Sequence, residues 1–347
     1  MKAFRLSIIG FGVVGQGFAE LLARKKAWLA RHYGLEVLLV SVANARHGFI
    51  YREDGLDIAT LLDLAAKRRP LSQHPGVRHW ENTLEGLRAT GADVLAEATP
   101  TNLHDAEPGM SHIRTALIEG IHVITANKGP VALAAHELLA LARQHGVQLR
   151  MEATVMAGTP VISTVLEGMA GARVRVVRGI LNGTTNYILS AMAGGRDYDE
   201  ALAEAQERGY AETDPTADVE GYDAVAKALI LATLVFGHTL KPDQVARRGI
   251  TGVTTQDIHQ AHKEGKRIKL LATLQAVSDI AETPLEASVE PVALPEQDPL
   301  ARVDGVMNAI SFETDTLSTV TVIGPGAGRS QTGQGLLADL IAIAKNA

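Results

Sequence analysis

Leu6-Ser7-Ile8-Ile9-Gly10-Phe11-Gly12-Val13-Val14-Gly15 lies close to the start of the chain. A short apolar run closed by glycine suits a strand buried on both faces of a parallel sheet. The next apolar stretch, residues 18–23, reads as helix. Between strand and helix the glycines stand at G-x-G-x-x-G spacing. The first permits a tight turn, the second lets the backbone approach a pyrophosphate, and the third lets helix and strand pack closely. The helix start then offers unpaired N–H groups and the positive end of a dipole to the phosphates. A flexible turn would use the same glycines, but the strand–turn–helix context favours a dinucleotide fingerprint. Gly10, Phe11, Gly12, Val13, Val14 and Gly15 are therefore candidate cofactor contacts.

Strand and helix patterns continue to alternate, with strands over 37–43, 92–98 and 121–125 and helices over 113–119 and 134–145. That alternation predicts an α/β, Rossmann-type, doubly wound parallel sheet with helices on both faces. After Val147 the texture changes. Glycine and threonine cluster at 157–160 and 179–186, helical patterns follow over 198–208, 221–236 and 255–263, and residues 285–323 alternate as antiparallel strands. An apolar-striped helix over 332–345 closes the chain. The expected division is a dinucleotide-binding domain of residues 1–146 plus 318–347 and a second, α+β domain of residues 147–317.

The composition excludes several classes of function. With 46% hydrophobic and 21% charged residues over 347 positions, the chain can bury a sizeable core. A formal charge of −6 gives no basic stripe for a nucleic-acid backbone. The absence of cysteine removes thiolate metal sites, disulfides and thiol nucleophiles. No signal peptide is evident, and the longest apolar run, 228–237, is about half a membrane span. A soluble cytoplasmic protein acting on a small molecule, with no nucleic-acid or membrane partner, is the expectation.

The end of the second strand reports on the cofactor ribose. An NAD site usually carries an acid there for the 2′-hydroxyl. This chain reads Val42-Ala43-Asn44-Ala45-Arg46-His47, so Arg46 is a candidate for a 2′-phosphate and NADP is favoured over NAD. Thr99-Pro100-Thr101-Asn102 follows a predicted strand end, where a doubly wound sheet presents its ligand loops.

Asp223 and Lys227 lie four apart and share one helix face. A solvated ion pair is the ordinary reading, yet Lys227 opens the apolar run Ala228-Leu229-Ile230-Leu231-Ala232. Upstream, Glu212, Asp214, Asp218, Glu220 and Asp223 crowd into twelve residues, a density that suits recognition of an ammonium group. His259 and His262 have metal-ligand spacing, but the surrounding Lys263, Glu264, Lys266, Arg267 and Lys269 read as a solvated surface.

Three segments carry a resemblance to a known family. They are Thr125-Ala126-Asn127-Lys128-Gly129-Pro130; Glu152 to Pro160 with Gly179 to Tyr187; and Ala205 through Gly209-Tyr210-Ala211-Glu212-Thr213-Asp214-Pro215 to Asp223 and Lys227. Together they closely resemble homoserine dehydrogenases, and the likeness extends to Pro299-Leu300-Ala301, Asn308-Ala309 and the glycine segment 324–328.

The resemblance implies reversible NAD(P)-dependent interconversion of L-homoserine and L-aspartate 4-semialdehyde in threonine and methionine biosynthesis. That chemistry needs a group to exchange the hydroxyl proton, and Lys128 or Lys227 can serve, Lys227 being favoured with Asp223 orienting it or a water. Glu212 would bind the substrate amino group. Asp218, Gly183, Thr184 and Tyr210 would complete the substrate site, and Asn182, Gly183, Thr184 and Thr185 would line the cleft between the domains. Thr99, Pro100, Thr101, Asn127, Lys128 and Gly328 would join the cofactor site. Glu152, Val155 and Ala157 would hold a monovalent cation, sodium or potassium, in a structural role. The second domain would supply strands to a homodimer interface. Two departures from the family pattern stand out. Gly328-Arg329-Ser330 replaces a second consecutive glycine, and the chain ends soon afterwards, without room for an appended regulatory amino-acid-binding module. Insensitivity to threonine acting through such a module is the expectation.

Overall fold

The structure is a computed structural model that describes residues 2–45, 48–277 and 284–346. It divides into two compact units, Met1–Gly158 with Gly328–Ala347, and Thr159–Ala327. The first contains β1 (Lys2–Ile9), α1 (Val13–Tyr33), β2 (Leu35–Asn44), β3 (Gly48–Tyr51), α2 (Ile58–Ala66), β4 (Arg78–Trp80), α3 (Thr83–Arg88), β5 (Val94–Glu97), α4 (Gly109–Ile118), β6 (His122–Thr125), α5 (Lys128–Gln144) and β7 (Leu149–Arg150). The second contains β8 (Val174–Ile180), α6 (Gly183–Ala193), α7 (Tyr198–Glu207), α8 (Thr216–Val219), α9 (Tyr222–Phe236), β9 (Ala246–Arg247), α10 (Thr255–Lys263), β10 (Lys266–Ala276), β11 (Leu285–Pro295), β12 (Met307–Thr314) and β13 (Thr319–Pro325). The last helix, α11 (Arg329–Asn346), returns to the first unit.

In the first unit the sheet runs β4–β3–β2–β1–β5–β6–β7. β1 lies between β2 and β5, parallel to both, so the fingerprint turn leaves the sheet from an interior strand. Leu6 and Ile8 are fully buried there, as the uninterrupted apolar run requires. β3 and β4 depart from the all-parallel expectation, each pairing antiparallel at one edge. Helix α11 crosses α1 at very close range. A Cβ on Gly17 would meet the Arg329 carbonyl, and one on Gly333 would lie 2.9 Å from Phe18 N. Leu336, Leu337, Leu340 and Ile343 then seal the core.

Both expected boundaries move. Residues 147–158 belong to the first unit, because Leu149 and Arg150 pair with Val123 and Ile124 and extend its parallel sheet. Residues 318–327 belong to the second, because β13 pairs antiparallel with β12 along its length.

The second unit is built on a six-stranded sheet, β13–β12–β8–β10–β11–β9. Its antiparallel strands over 285–323 were legible in the sequence; β8 and β10 were not. In particular, the segment read as a solvated basic surface, 263–269, runs into the start of β10, and Lys269 there is 2% exposed. A buried ammonium survives when its protons are satisfied. Here Nζ donates to Asn186 Oδ1 at 3.1 Å, the Val303 carbonyl at 2.6 Å and Asp304 Oδ1 at 3.0 Å. Burial lowers the Lys269 pKa, and Asp304 opposes that shift. Among the described residues no helix is long and apolar enough to cross a membrane.

Candidate active site

The fingerprint turn has the geometry its glycines suggest. Gly10 N and Phe11 N both donate to the Ala43 carbonyl, at 2.9 and 3.1 Å, which ties the turn to the end of β2. Gly10 has φ +98°, and a Cβ there would fall among the Ala98 and Thr99 backbone atoms, 2.5 Å from Thr99 N. A Cβ on Gly15 would meet the Gly10 carbonyl, so the third glycine sets the closeness of α1 to the strand. Gly12 differs: a Cβ there would have no neighbour within 4 Å. It caps α1 without a side chain, and no acid occupies the first turn. The dipole of a 21-residue helix therefore faces open space. Phe11 is buried in the core and can offer a ligand only its backbone, while Val13 is 65% exposed.

Gly12→Ala should accordingly leave the melting temperature within about 2 °C, a surface-scale change. The glycine spacing predicts that the backbone here meets a pyrophosphate, so the added methyl should raise KM for NAD(P) at least tenfold. A titration showing unaltered cofactor affinity would remove Gly12 from the site.

The loops after β5 and β6 are laced together. Asn127 Nδ2 donates to Thr99 Oγ1 at 3.1 Å, and Asn127 N donates to Thr125 Oγ1 at 3.0 Å. Asn127 also caps α5, its Oδ1 accepting from Gly129 N at 3.0 Å, which makes Lys128 the first residue of that helix. Thr101 Oγ1 accepts from Lys128 N at 3.4 Å, and Pro100 and Thr101 are exposed. Beneath them lies Glu97, fully buried at the end of β5, whose Oε1 accepts from Thr99 N at 3.2 Å and from Thr99 Oγ1. Sequence reasoning passed over Glu97; the available signal was a lone acid closing an apolar strand.

Arg46 lies outside the described residues. Gly328 stands at the start of α11 with φ +126°. Its neighbour Arg329, where the family pattern has glycine, makes a two-armed contact with Glu20 at 2.6 and 3.1 Å and reaches Gln16 at 3.3 Å. The departure thus serves as a tie between α11 and α1. Glu152, Val155 and Ala157 lie on one buried turn. Glu152 N donates to the buried Asp339 at 2.8 Å, and the turn passes through two left-handed residues, Met156 at φ 57° and Ala157 at φ 54°. It offers oxygen donors only, the set that suits a hard cation.

In the second unit five residues converge. Lys227 is 6% exposed on α9, and its Nζ donates to Asp223 Oδ2 at 2.7 Å and to the Leu181 carbonyl at 2.5 Å. Asn182 caps α6 through Thr185 N and spends its two amide protons on Asp218 Oδ1 at 2.7 Å and Asp223 Oδ2 at 3.0 Å. The Thr184 hydroxyl lies 2.8 Å from the Tyr210 carbonyl and 3.0 Å from Asp218 Oδ2, its single proton serving one or the other. The Tyr210 ring meets Tyr187 edge-on at 5.0 Å. Gly183 is hemmed in by Val306, whose carbonyl would lie 2.7 Å from a Cβ.

The acidic run therefore divides. Asp218 and Asp223 join the amine. Asp214 instead caps Thr216, and Glu220 turns to Thr251 at 2.8 Å and Arg247 at 3.6 Å. Glu212 is exposed, and its backbone carbonyl accepts from Gln206 Nε2 at 3.1 Å. His259 and His262 are exposed on α10, and no cluster of three His, Asp or Glu side chains among the described residues could hold a metal.

The Asp218 carboxyl is pushed above the usual range, first by burial and then by the Asp223 charge, against the hydrogen bonds of Asn182 and Thr184 and the charge of Lys227. A carboxyl with a raised folded-state pKa costs stability once ionised; the cost is absent below the unfolded pKa and complete above the folded one. Asp218→Asn should therefore raise the melting temperature at pH 7, and the gain should shrink as pH falls towards about 4. Melting curves showing the same difference at both pH values would contradict the assignment.

A doubly wound sheet with this turn at an interior strand defines a dinucleotide-binding protein, and comparison with known proteins narrows the class to NAD(P)-dependent oxidoreductases. A family model described as "Homoserine dehydrogenase, NAD binding domain" matches residues 10–152, and one described as "Homoserine dehydrogenase" matches residues 160–341. The chain is 41% identical over 352 residues to the NAD(+)-dependent homoserine dehydrogenase of Pseudomonas canavaninivorans, covering 100% of this chain and 98% of that one. The crystal structure of a homoserine dehydrogenase from Thiobacillus denitrificans is 32% identical with a TM-score of 0.84, over 99% of this chain and 74% of that one. A hyperthermophilic archaeal homoserine dehydrogenase mutant in complex with NADPH is 29% identical with a TM-score of 0.85, over 100% and 99%. The chain belongs to the homoserine dehydrogenase family, NAD(P)-dependent oxidoreductases that interconvert L-homoserine and L-aspartate 4-semialdehyde.

Proposed function

We propose that Lys227 is the proton carrier of this reaction and that Asp223 orients it. The supporting observation is the buried ammonium held by Asp223 and the Leu181 carbonyl. Two of its three protons are engaged, and the third remains for a substrate oxygen. In the reductive direction Lys227 donates that proton to the aldehyde oxygen; in the oxidative direction the same amine takes it back from the hydroxyl. The nicotinamide, when bound, supplies or accepts the hydride at the carbon bearing that oxygen. Asp218, Gly183, Thr184 and Tyr210 form the wall of the substrate site. Glu212, exposed and acidic, receives the substrate ammonium, and Lys128 at the start of α5 lies on the cofactor side with Thr99, Pro100, Thr101, Asn127 and Gly328.

The missing acid after β2, together with Arg46, supports NADP as the preferred cofactor. A second reading, preference for NAD, is favoured by the name of the Pseudomonas canavaninivorans relative. The buried Glu152 carboxylate, with carbonyls of Val155 and Ala157, suits a monovalent cation in a structural role. A homodimer is supported by exposed apolar residues along the β12–β13 edge, Val306, Met307 and Ile323 at 37, 36 and 53%. The cytoplasm is the proposed location.

The deciding assay follows absorbance of the reduced nicotinamide with L-homoserine and either NAD or NADP. Turnover with homoserine, and higher kcat/KM with NADP, is expected. Better turnover with NAD would transfer the cofactor preference to the second reading, and no turnover with either would overturn the proposal.

A further inference from the structure

The loops proposed to meet the cofactor rest on a residue that the reaction itself does not use. Glu97 is fully buried, and its neighbour His112 is 6% exposed, with His112 Nδ1 3.5 Å from Glu97 Oε1. A carboxylate in such a place is costly unless hydrogen bonds and a counter-charge compensate. Glu97 Oε1 has the Thr99 N–H, the Thr99 hydroxyl and the His112 ring, while the single Thr125 hydroxyl proton lies between the Glu97 carbonyl at 3.2 Å and Oε2 at 3.5 Å. Its carboxylate therefore settles the direction of the Thr99 proton: the hydroxyl donates down to Glu97 and accepts from Asn127 Nδ2. Asn127 in turn caps α5 and fixes where Lys128 begins.

The chain of bonds runs from a buried acid, through Thr99, to the residues at the carboxyl ends of β5 and β6. In a doubly wound sheet a dinucleotide lies outside those ends. A buried hydrogen-bonded network holds one arrangement, whereas an apolar floor would let the two loops find their own positions.

From this we infer that Glu97 is a positioning residue for the cofactor, acting through Thr99 and Asn127. The inference rests on the proposed cofactor role of Thr99.

The test uses the full chain and titrates NADPH and NADH by nicotinamide fluorescence, with melting curves alongside. Glu97→Leu keeps the volume and removes both acceptors; it should weaken cofactor binding by about tenfold, the scale of one well-made hydrogen bond. Glu97→Gln retains an acceptor oxygen for Thr99 and should stay within about threefold of the parent. Thr99→Val should match Glu97→Leu, and the double variant should be no weaker than the worse single, since both cut one chain of bonds. Should the leucine variant fail to fold, Glu97→Ala carries the same expectation. A lowered melting temperature with parental affinity would show a merely structural acid and overturn the inference, as would a double variant that loses the product of the two effects. Parental affinity in Thr99→Val would instead refute the cofactor role of Thr99, and the inference would fall with it.

Discussion

Lys227→Met is expected to lower kcat for homoserine oxidation by about 10²–10⁴-fold, the usual contribution of a positioned proton carrier. NADPH affinity should stay at the parental value, because the Lys227 contacts described here all lie in the second unit. Methionine keeps the length of the apolar stem, on a helix whose residues 224–233 are all buried. The loss therefore reports on the ammonium and not on packing. One complication is foreseeable. Removing the cation takes from Asp223, whose side chain is 17% exposed, its 2.7 Å charge partner. A mostly buried carboxylate that loses its counter-charge destabilises a fold. The double variant Asp223→Asn/Lys227→Met removes that charge as well and should recover melting temperature without recovering turnover. Single-variant turnover within tenfold of the parent would rule out Lys227 as the proton carrier.

Gly10→Ala should have the largest effect on the fold of the first unit. The new Cβ would fall among the backbone atoms where β5 leaves the sheet, and backbone atoms cannot step aside as a side-chain tip can. Overpacking costs about 1–3 kcal/mol, and a left-handed backbone about 1–2 kcal/mol more for a residue with a Cβ. The sum, about 2–5 kcal/mol, corresponds to a fall of roughly 5–15 °C in melting temperature for a unit of this size. Cofactor binding should be lost as the turn shifts. Gly12→Ala, two residues on, should separate the two effects, with stability kept and cofactor binding weakened at least tenfold. A thermal melt of Gly10→Ala within 2 °C of the parent would mean that the turn is not as tightly enclosed as the contacts with Ala98 and Thr99 require.

The legible parts of this protein were those written in local patterns. The strand–glycine–helix opening was readable because burial on both faces demands an uninterrupted apolar strand and the turn demands residues without a Cβ. The Asp223–Lys227 pair was readable because four residues make one helical turn, and the apolar run after Lys227 marked that turn as buried. The basic stretch 263–269 misled for a related reason: charge usually means solvent, and nothing near Lys269 in the chain announces Asn186, Val303 and Asp304.

Local pattern, by itself, determined the parallel sheet at the amino end, the glycine turn after its first strand, and the presence of an amine beside an acid on one helix. Tertiary structure alone decided which acids of the crowded run reach that amine, that Arg329 ties α11 to α1, and that Glu97 lies sealed beneath two loops. The physical reason is separation along the chain. Asn182 meets Asp218 across 36 positions and Asp223 across 41, and Lys227 meets Leu181 across 46. Periodicity encodes which face of an element is buried, but a partner brought from another element is set only when the elements pack.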